Sequence, residues 1–488
     1  MYDYEFLGAG ARARGMGGAF VGLANDASAL TWNPAGLIQV TKTQASVAGS
    51  VYRFKTENDR TYRSSSQLNF LGELTKDRLN LDYGSFVAPI RIKGHLFVTS
   101  AAYQRIQDNS DESLERENLS YRFSPAGTQY VAQDVAEADY TTDANSHVDK
   151  FTIGFGSAVY GRLSGGIAAN IYSGSGRNEY ERAFLDTTEM YFAGQFIDSI
   201  EYARVTRNED LTSINGFNFS GGLLYQAEKF QIGVNLQTPF EMVTDHDVKR
   251  SDTVYFKNVS APGQGTPVAT KPTLYRAKTK IEQPLVVGFG LALKPTPKLT
   301  VAGDFELRST DGAKYFVRSE QPPVNVNDST NLFTLPTNIY YIDTTETSYY
   351  DAKGDLIEIY NEFDLGLKSS YQFRLGAEYL VTTSLGTIPL RGGFRFTKEP
   401  YRDVTAVKRD ETNQVAESFV LGDNISQTSF SFGSGIHWTQ VHLDVAFELS
   451  KQEQSEKGFD VRELTLLEYD QTKTKTSPRF FLNFTGFF

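Results

Sequence analysis

The chain has 488 residues, no Cys, and 48 Lys and Arg against 59 Asp and Glu, a net charge of −11. The acid excess argues against the concentrated basic surface that nucleic-acid backbones require, and the missing thiols exclude disulfides and thiolate metal sites. No window of about 18 apolar residues occurs, which excludes a transmembrane helix and leaves a closed β-barrel as the only way across a bilayer. The 35 Phe, 27 Tyr and 41 Gly suit pleated strands with aromatic girdles.

In chain order, Met1–Glu5 has neither a basic n-region nor an apolar h-region, so an export signal is expected to have been removed before this numbering or replaced by an initiator Met. Residues 8–37 are dominated by Gly and Ala, as in a segment that packs tightly inside something larger. Gly8-Ala9-Gly10-Ala11-Arg12-Ala13 superficially matches a dinucleotide fingerprint, but no apolar strand precedes it and no βαβ unit follows. Asn33 precedes Pro34, which restricts Asn33 to extended or turn backbone, and Pro34 offers no N–H. A rigid kink with a polar side chain at its apex is expected there, either holding a plug loop in place or forming a plain turn.

Beyond residue 42 the pattern is period two. Phe230, Ile232, Val234 and Leu236 alternate with Gln231, Gly233, Asn235 and Gln237; Leu285 to Leu293 and Leu299 to Leu307 alternate likewise, with Asp304 and Glu306 on the opposite face. Antiparallel neighbours across a short turn must place apolar residues on one side. Turning at Thr439-Gln440 pairs Ile436 with Leu443, Ser434 with Val445 and Phe432 with Phe447, and the parity also holds for 151–159 against 163–171 and for 217–225 against 230–236.

Such segments number fourteen: 43–53, 79–90, 95–106, 150–160, 163–173, 214–225, 230–238, 284–293, 299–309, 370–380, 388–397, 428–438, 441–450 and 478–488. Six short connections, near 92, 161, 227, 296, 384 and 439, alternate with seven long ones: 54–78, 107–149, 174–213, 239–283, 310–369, 398–427 and 451–477. Residues 65–74 read as a further strand or a hairpin within the first of these. Short turns on one side and long connections on the other are the asymmetry of outer-membrane barrels. The fold class is therefore all-β, a transmembrane antiparallel barrel of about 14 strands. The final segment, Pro478–Phe488, is one-sidedly apolar with an aromatic end, and resembles the last-strand signal read by the outer-membrane assembly machinery.

Around the turn near 384, Glu378 falls opposite Arg391 and Arg374 opposite Arg395, on the face away from Leu375, Ala377, Leu390 and Phe394. Like charges across a ladder repel. An acid is needed nearby, and Asp444 or Glu448, two strands along, could supply it. The plainer reading is a set of wall charges bracing a plug; the sharper one is that an unbalanced Arg374 and Arg395 pair receives a fatty-acid carboxylate. His437 and His442 face each other across the turn at 439–440 without a third ligand, so they read as a polar pair and not as a metal site. Gly433-Ser434-Gly435 lacks the flanks of a nucleophile elbow, no triad can be assembled, and neither an enzyme nor a cofactor is expected.

The run GARARGMGGAFVGLANDASALTWNPAGL, with Asn33, Pro34 and Ala35, resembles the amino-terminal hatch of the FadL/TodX family of outer-membrane channels for hydrophobic compounds. Two barrel patches, 283–307 and 371–401, are similar to family patterns. The resemblance implies a hatch at 1–42, gated through Asn33, Pro34 and Ala35, inside a barrel at 43–488. It implies a monomer in the bacterial outer membrane, surrounded by its lipid, that passes fatty acids or other hydrophobic small molecules. A protein-binding shuttle of the same fold, like the barrel that collects cargo for type IX secretion, is the alternative; its long connections would contact a protein partner.

Overall fold

The computed structural model describes residues 8–62, 69–123, 131–186, 188–192, 195–257, 265–269, 273–319, 348–350, 356–358, 361–409, 415–462 and 465–488. Fourteen strands among them form one antiparallel sheet. They are β1 Gln44–Tyr62, β2 Asn69–Ile92, β3 His95–Phe123, β4 Val131–Tyr160, β5 Leu163–Asp186 and β6 Gln195–Gln226. Then come β7, Phe230–Gln237 continued by Phe240–Lys257; β8, Thr273–Gln283 and Val286–Thr296; β9, Leu299–Arg308 and Lys314–Ser319; and β10, Asn361–Asp364 and Ser370–Thr383. The last four are β11 Gly386–Arg409, β12 Val415–His437, β13 Val441–Arg462 and β14 Thr465–Phe487. The breaks within β7 and β8 fall at Pro239 and Pro284, which cannot donate to a ladder.

The sheet closes on itself. Gln44 of β1 stands opposite Val87 of β2 on one side and Phe487 of β14 on the other, so neither terminal strand has a free edge. A closed ladder satisfies the backbone internally, the condition for crossing a hydrocarbon layer. The six short turns lie where the sequence puts them. At the first, Lys93 (φ 50°) and Gly94 (φ 83°) both adopt left-handed backbone, the requirement of a two-residue hairpin turn. The expected registers hold, with Phe432 opposite Phe447 and Phe151 opposite Ile171.

Burial is inverted relative to a water-soluble fold. Ile153 is 69% exposed and Phe289 is 53% exposed, whereas Arg374 is 0% and Arg391 is 5% exposed. Along Phe230–Gln237 the apolar residues point out and Gln231, Gly233 and Asn235 point in. The outward side is thus a belt of Phe, Leu, Ile and Val that water cannot solvate cheaply and lipid can. No helix among the described residues is long and apolar enough to cross a membrane.

The long connections differ from the expectation. Where they are described they are extensions of the strands: Phe54–Thr61 pairs with Asn69–Lys76, and Gln107–Phe123 pairs with Ala132–Val148. Residues 69–74 therefore continue β2, while 65–68 lie outside the described residues, as does most of 320–360. Apolar alternation stops at the belt edge because aqueous strands need no lipid-facing side chains, but main-chain pairing continues without it. A ring of irregularities marks that edge, with register shifts at Arg105/Gln107, Gly174/Gly176, Leu211/Ser213 and Lys398/Arg402.

Candidate functional site

The lumen holds the amino-terminal segment. Ala11–Gly15 and Ala29–Trp32 are short helices, and Pro34 opens a 3-10 helix that runs to Gln39. Met16, Ala19, Phe20, Leu23 and Leu37 are fully buried and share a core with inward residues such as Ala48, Tyr83, Val98, Ala168, Ala292 and Ala302 of the wall. The small residues allow backbone to meet backbone. A Cβ at Gly17 (φ 67°) would lie 2.7 Å from the Phe394 amide nitrogen and 2.9 Å from the Leu375 carbonyl oxygen. From the other side, a Cβ at Gly376 or Gly393 would overlap the backbone of Met16 and Gly17.

Polar anchors fix the segment from several directions. Asp304 Oδ2 accepts from the Phe20 and Val21 amides at 2.6 and 2.8 Å. The Gly17 amide donates to Ser431 Oγ at 2.9 Å, Asn235 Nδ2 donates to the Trp32 carbonyl at 2.6 Å, and Tyr83 Oη donates to the Ala27 carbonyl at 2.8 Å. Arg12 forms a two-pronged pair with Glu378, Nε to Oε2 at 2.9 Å and Nη2 to Oε1 at 2.7 Å, and reaches Asn25 Oδ1 at 2.8 Å.

Asn33 is extended (φ −156°, ψ 106°), as a residue before proline must be. Its Oδ1 accepts from the Ala35 amide at 3.1 Å, while Nδ2 donates to the carbonyls of Val21 at 3.0 Å and of Leu223 in the wall at 3.2 Å. One side chain thus ties its own turn, an earlier loop and the barrel together. Pro34 and Ala35 lie against Gly166, where a Cβ would overlap both.

The wall charges are brought together, but in an order that adjacent-strand reasoning only half anticipates. Glu378 stands opposite Arg391 and Arg374 opposite Arg395 in the ladder. Arg391 Nε donates to Glu378 Oε2 at 2.7 Å, and its Nη1 reaches Asp444 Oδ1 at 2.7 Å. Arg395 Nη2 donates to Glu448 Oε1 at 2.8 Å. Both reaches pass over β12, where Gly433 stands opposite Arg391 and Ser429 opposite Arg395, so small residues leave room for the guanidinium groups. Arg374 has its own acid, Glu306 of β9, at 2.6 Å, and its Cζ lies 5.7 Å from the Trp32 ring centroid. The Arg374 and Arg395 pair is therefore not left unbalanced. The sequence placed Glu306 on the inner face without joining it to Arg374, and it gave Arg12 no partner at all; only the strand order supplies both.

His437 and His442 stack at 3.8 Å, and His437 Nε2 lies 2.9 Å from Asp444 Oδ1. No cluster of three His, Cys, Asp or Glu suited to a metal occurs among the described residues.

Above the segment, toward the extended hairpins, the inner face of β3 to β7 carries an apolar cluster of Ile106, Val148, Tyr172, Leu211, Ile214 and Met242. Tyr172 stacks on Phe240 at 4.6 Å. Beside the cluster Lys150, opposite Tyr172 and Gln104 in the ladder, is 9% exposed and has no carboxylate within 4 Å among the described residues. The polar face of the lumen lies across from it, on β9 to β13.

An inverted closed barrel with an occupied lumen defines the class, a membrane-spanning β-barrel of the outer-membrane type. Among solved structures the chain is similar to a Pseudomonas aeruginosa FadL homologue, with TM-score 0.55, 13% identity and 98% of each chain covered. It is also similar to the Pseudomonas putida toluene transporter TodX, with TM-score 0.51, 12% identity and 100% of each chain covered. The fold is that of the FadL-type barrels. No family model and no curated protein matches the chain.

Proposed function

We propose that the chain is a bacterial outer-membrane channel for passive uptake of hydrophobic small molecules, with residues 1–42 acting as its hatch and Asn33, Pro34 and Ala35 as the point on which the hatch turns. The observation that carries this reading is the order of surfaces along the bore: an apolar cluster toward the extended hairpins, then the segment 8–40 held against the wall. A ligand with an apolar body gains by leaving water for the cluster, and the segment lies between that cluster and the short-turn side. The toluene transporter of the same fold supports a hydrophobic cargo. The reading assigns no catalytic step and no cofactor.

The cargo includes long-chain fatty acids. With Arg374, Arg391 and Arg395 engaged by acids, Lys150 beside the apolar cluster is the cation placed to meet a carboxylate. The test is mass spectrometry of lipids extracted from the purified protein, with titrations of a fluorescent fatty acid and of toluene on the parent and on Lys150→Met. Saturable binding of both, with the acid alone weakened about tenfold or more by the substitution, supports the reading. Equal loss of both ligands refutes the carboxylate assignment. No bound lipid and no saturable binding, with a stably co-purifying protein, favours the shuttle.

A further inference from the structure

We propose that the rim bearing the short turns is a binding surface for anionic phospholipid headgroups, formed by cations on one arc of the barrel. Six exposed cations lie there: Lys42 ahead of β1, Arg91 and Lys93 at the first turn, Arg162 at the second, Lys229 at the third and Lys298 at the fourth. Glu228 is the only acid among these turns, in a chain whose net charge is −11. The segregation follows the fold and not the average composition. The fifth and sixth turns, Ser384-Leu385 and Trp438-Thr439-Gln440, carry no charge, so the cations are confined to the arc from β1 to β9.

The depth of these cations selects the partner. Four of them flank the end of the lipid-facing belt: Arg91 and Lys93 on either side of Ile92, Arg162 two residues after Tyr160 (86% exposed), and Lys229 beside Phe230. Apolar and aromatic side chains at the belt edge fix the interface, and a Lys or Arg one or two residues further on stands at the level of the phosphates. A headgroup at the level of the rim lies within reach of these charges at physiological salt, where screening sets in over about 8 Å. A soluble acidic protein would have to meet side chains already surrounded by headgroups. The inference rests on the reading of the barrel as membrane-spanning, and with the short turns on the periplasmic side it assigns the lipid to the inner leaflet.

The experiment is native mass spectrometry of the full chain released from an equimolar mixture of phosphatidylglycerol and phosphatidylethanolamine. It compares the parent with a rim variant (R91Q, K93Q, R162Q, K229Q, K298Q) and with a control that removes five exposed cations of the hairpin side (R53Q, R177Q, R276Q, K451Q, K457Q). Heat-modifiable gel mobility verifies that each barrel is folded. The parent is expected to retain phosphatidylglycerol at least threefold over phosphatidylethanolamine, with the preference lost in the rim variant and kept in the control. Equal retention of the two lipids by the parent overturns the proposal, as does a preference that survives in the rim variant or disappears equally in the control. Fatty-acid titration of the same samples separates the two readings: lost ligand binding with an intact lipid preference counts against uptake alone.

Discussion

Glu378 is the wall residue through which the lumenal segment and the barrel share charge, and its removal should cost more than removal of its partner on the segment, Arg12. It accepts from Arg12 at 2.7 and 2.9 Å and from Arg391 at 2.7 Å, with its side chain 4% exposed. Arg12→Met leaves Glu378 neutralised by Arg391, so the loss is about 1–2 kcal/mol, one charge-assisted contact. Glu378→Leu leaves Arg12 with Asp26 at 3.5 Å as its remaining acid and returns Arg391 to Asp444 alone. Exchanging the two-pronged pair for that one longer contact brings the cost toward the roughly 3–5 kcal/mol of a buried charge that loses its partner. The difference of about 2 kcal/mol is a factor of about 30 in the population of the detached segment. Hydrogen exchange of the amides of Ala11–Gly18, measured in detergent on folded barrels, reads that population. The double variant R12M/E378L should fall between the two single variants, because Arg391 keeps Asp444 and no cation is stranded. Equal exchange in the two single variants, or a double variant worse than Glu378→Leu, would refute the argument that Glu378 is shared.

Three further outcomes follow from the same geometry. Asn33→Ala removes three hydrogen bonds worth about 1 kcal/mol each, so exchange and protease cleavage around Val21 and Ala35 should rise by one to two orders of magnitude, with Pro34→Ala milder; unchanged protection at Val21 would show that Asn33 is not the tie. Gly393→Ala places a methyl on the Gly17 backbone, and the overlap should cost about 1–3 kcal/mol of attachment; larger single-channel conductance in planar bilayers is expected, and an unchanged closed level would mean the wall yields instead. Ile153→Arg puts a charge in the outward belt at a position 69% exposed and should lower folding stability in liposomes by about 2–4 kcal/mol, whereas Asn170→Arg on the inner face should act chiefly through local packing; equal behaviour of the two would contradict the assignment of faces.

Much of the wall was legible because a barrel strand is a local object. Whether Phe432 and Phe447 share a side is settled by a two-residue turn and a period of two, and the same holds for Glu378 opposite Arg391. The extent of the strands was not legible, since Gln107–Phe123 pairs with Ala132–Val148 through main-chain bonds that leave no apolar signature in the sequence. The lumenal contacts were still less so. Arg12 and Glu378 are 366 residues apart, and Asp304 meets Phe20 across 284; no periodicity connects such positions.

The sequence by itself determined the inverted strands, the six tight turns, the parity that closes an even-stranded sheet and the small-residue segment ahead of it, because these depend on side-chain alternation and on φ limits within a few residues. Only the tertiary structure decided which acids answer Arg12, Arg374, Arg391 and Arg395, that Lys150 stands beside an apolar cluster with no acid at hand among the described residues, and where Asn33 ties the segment to the wall. Those facts depend on which strands curvature and closure bring within hydrogen-bond reach across the lumen, a distance set by the whole ring and by no stretch of it.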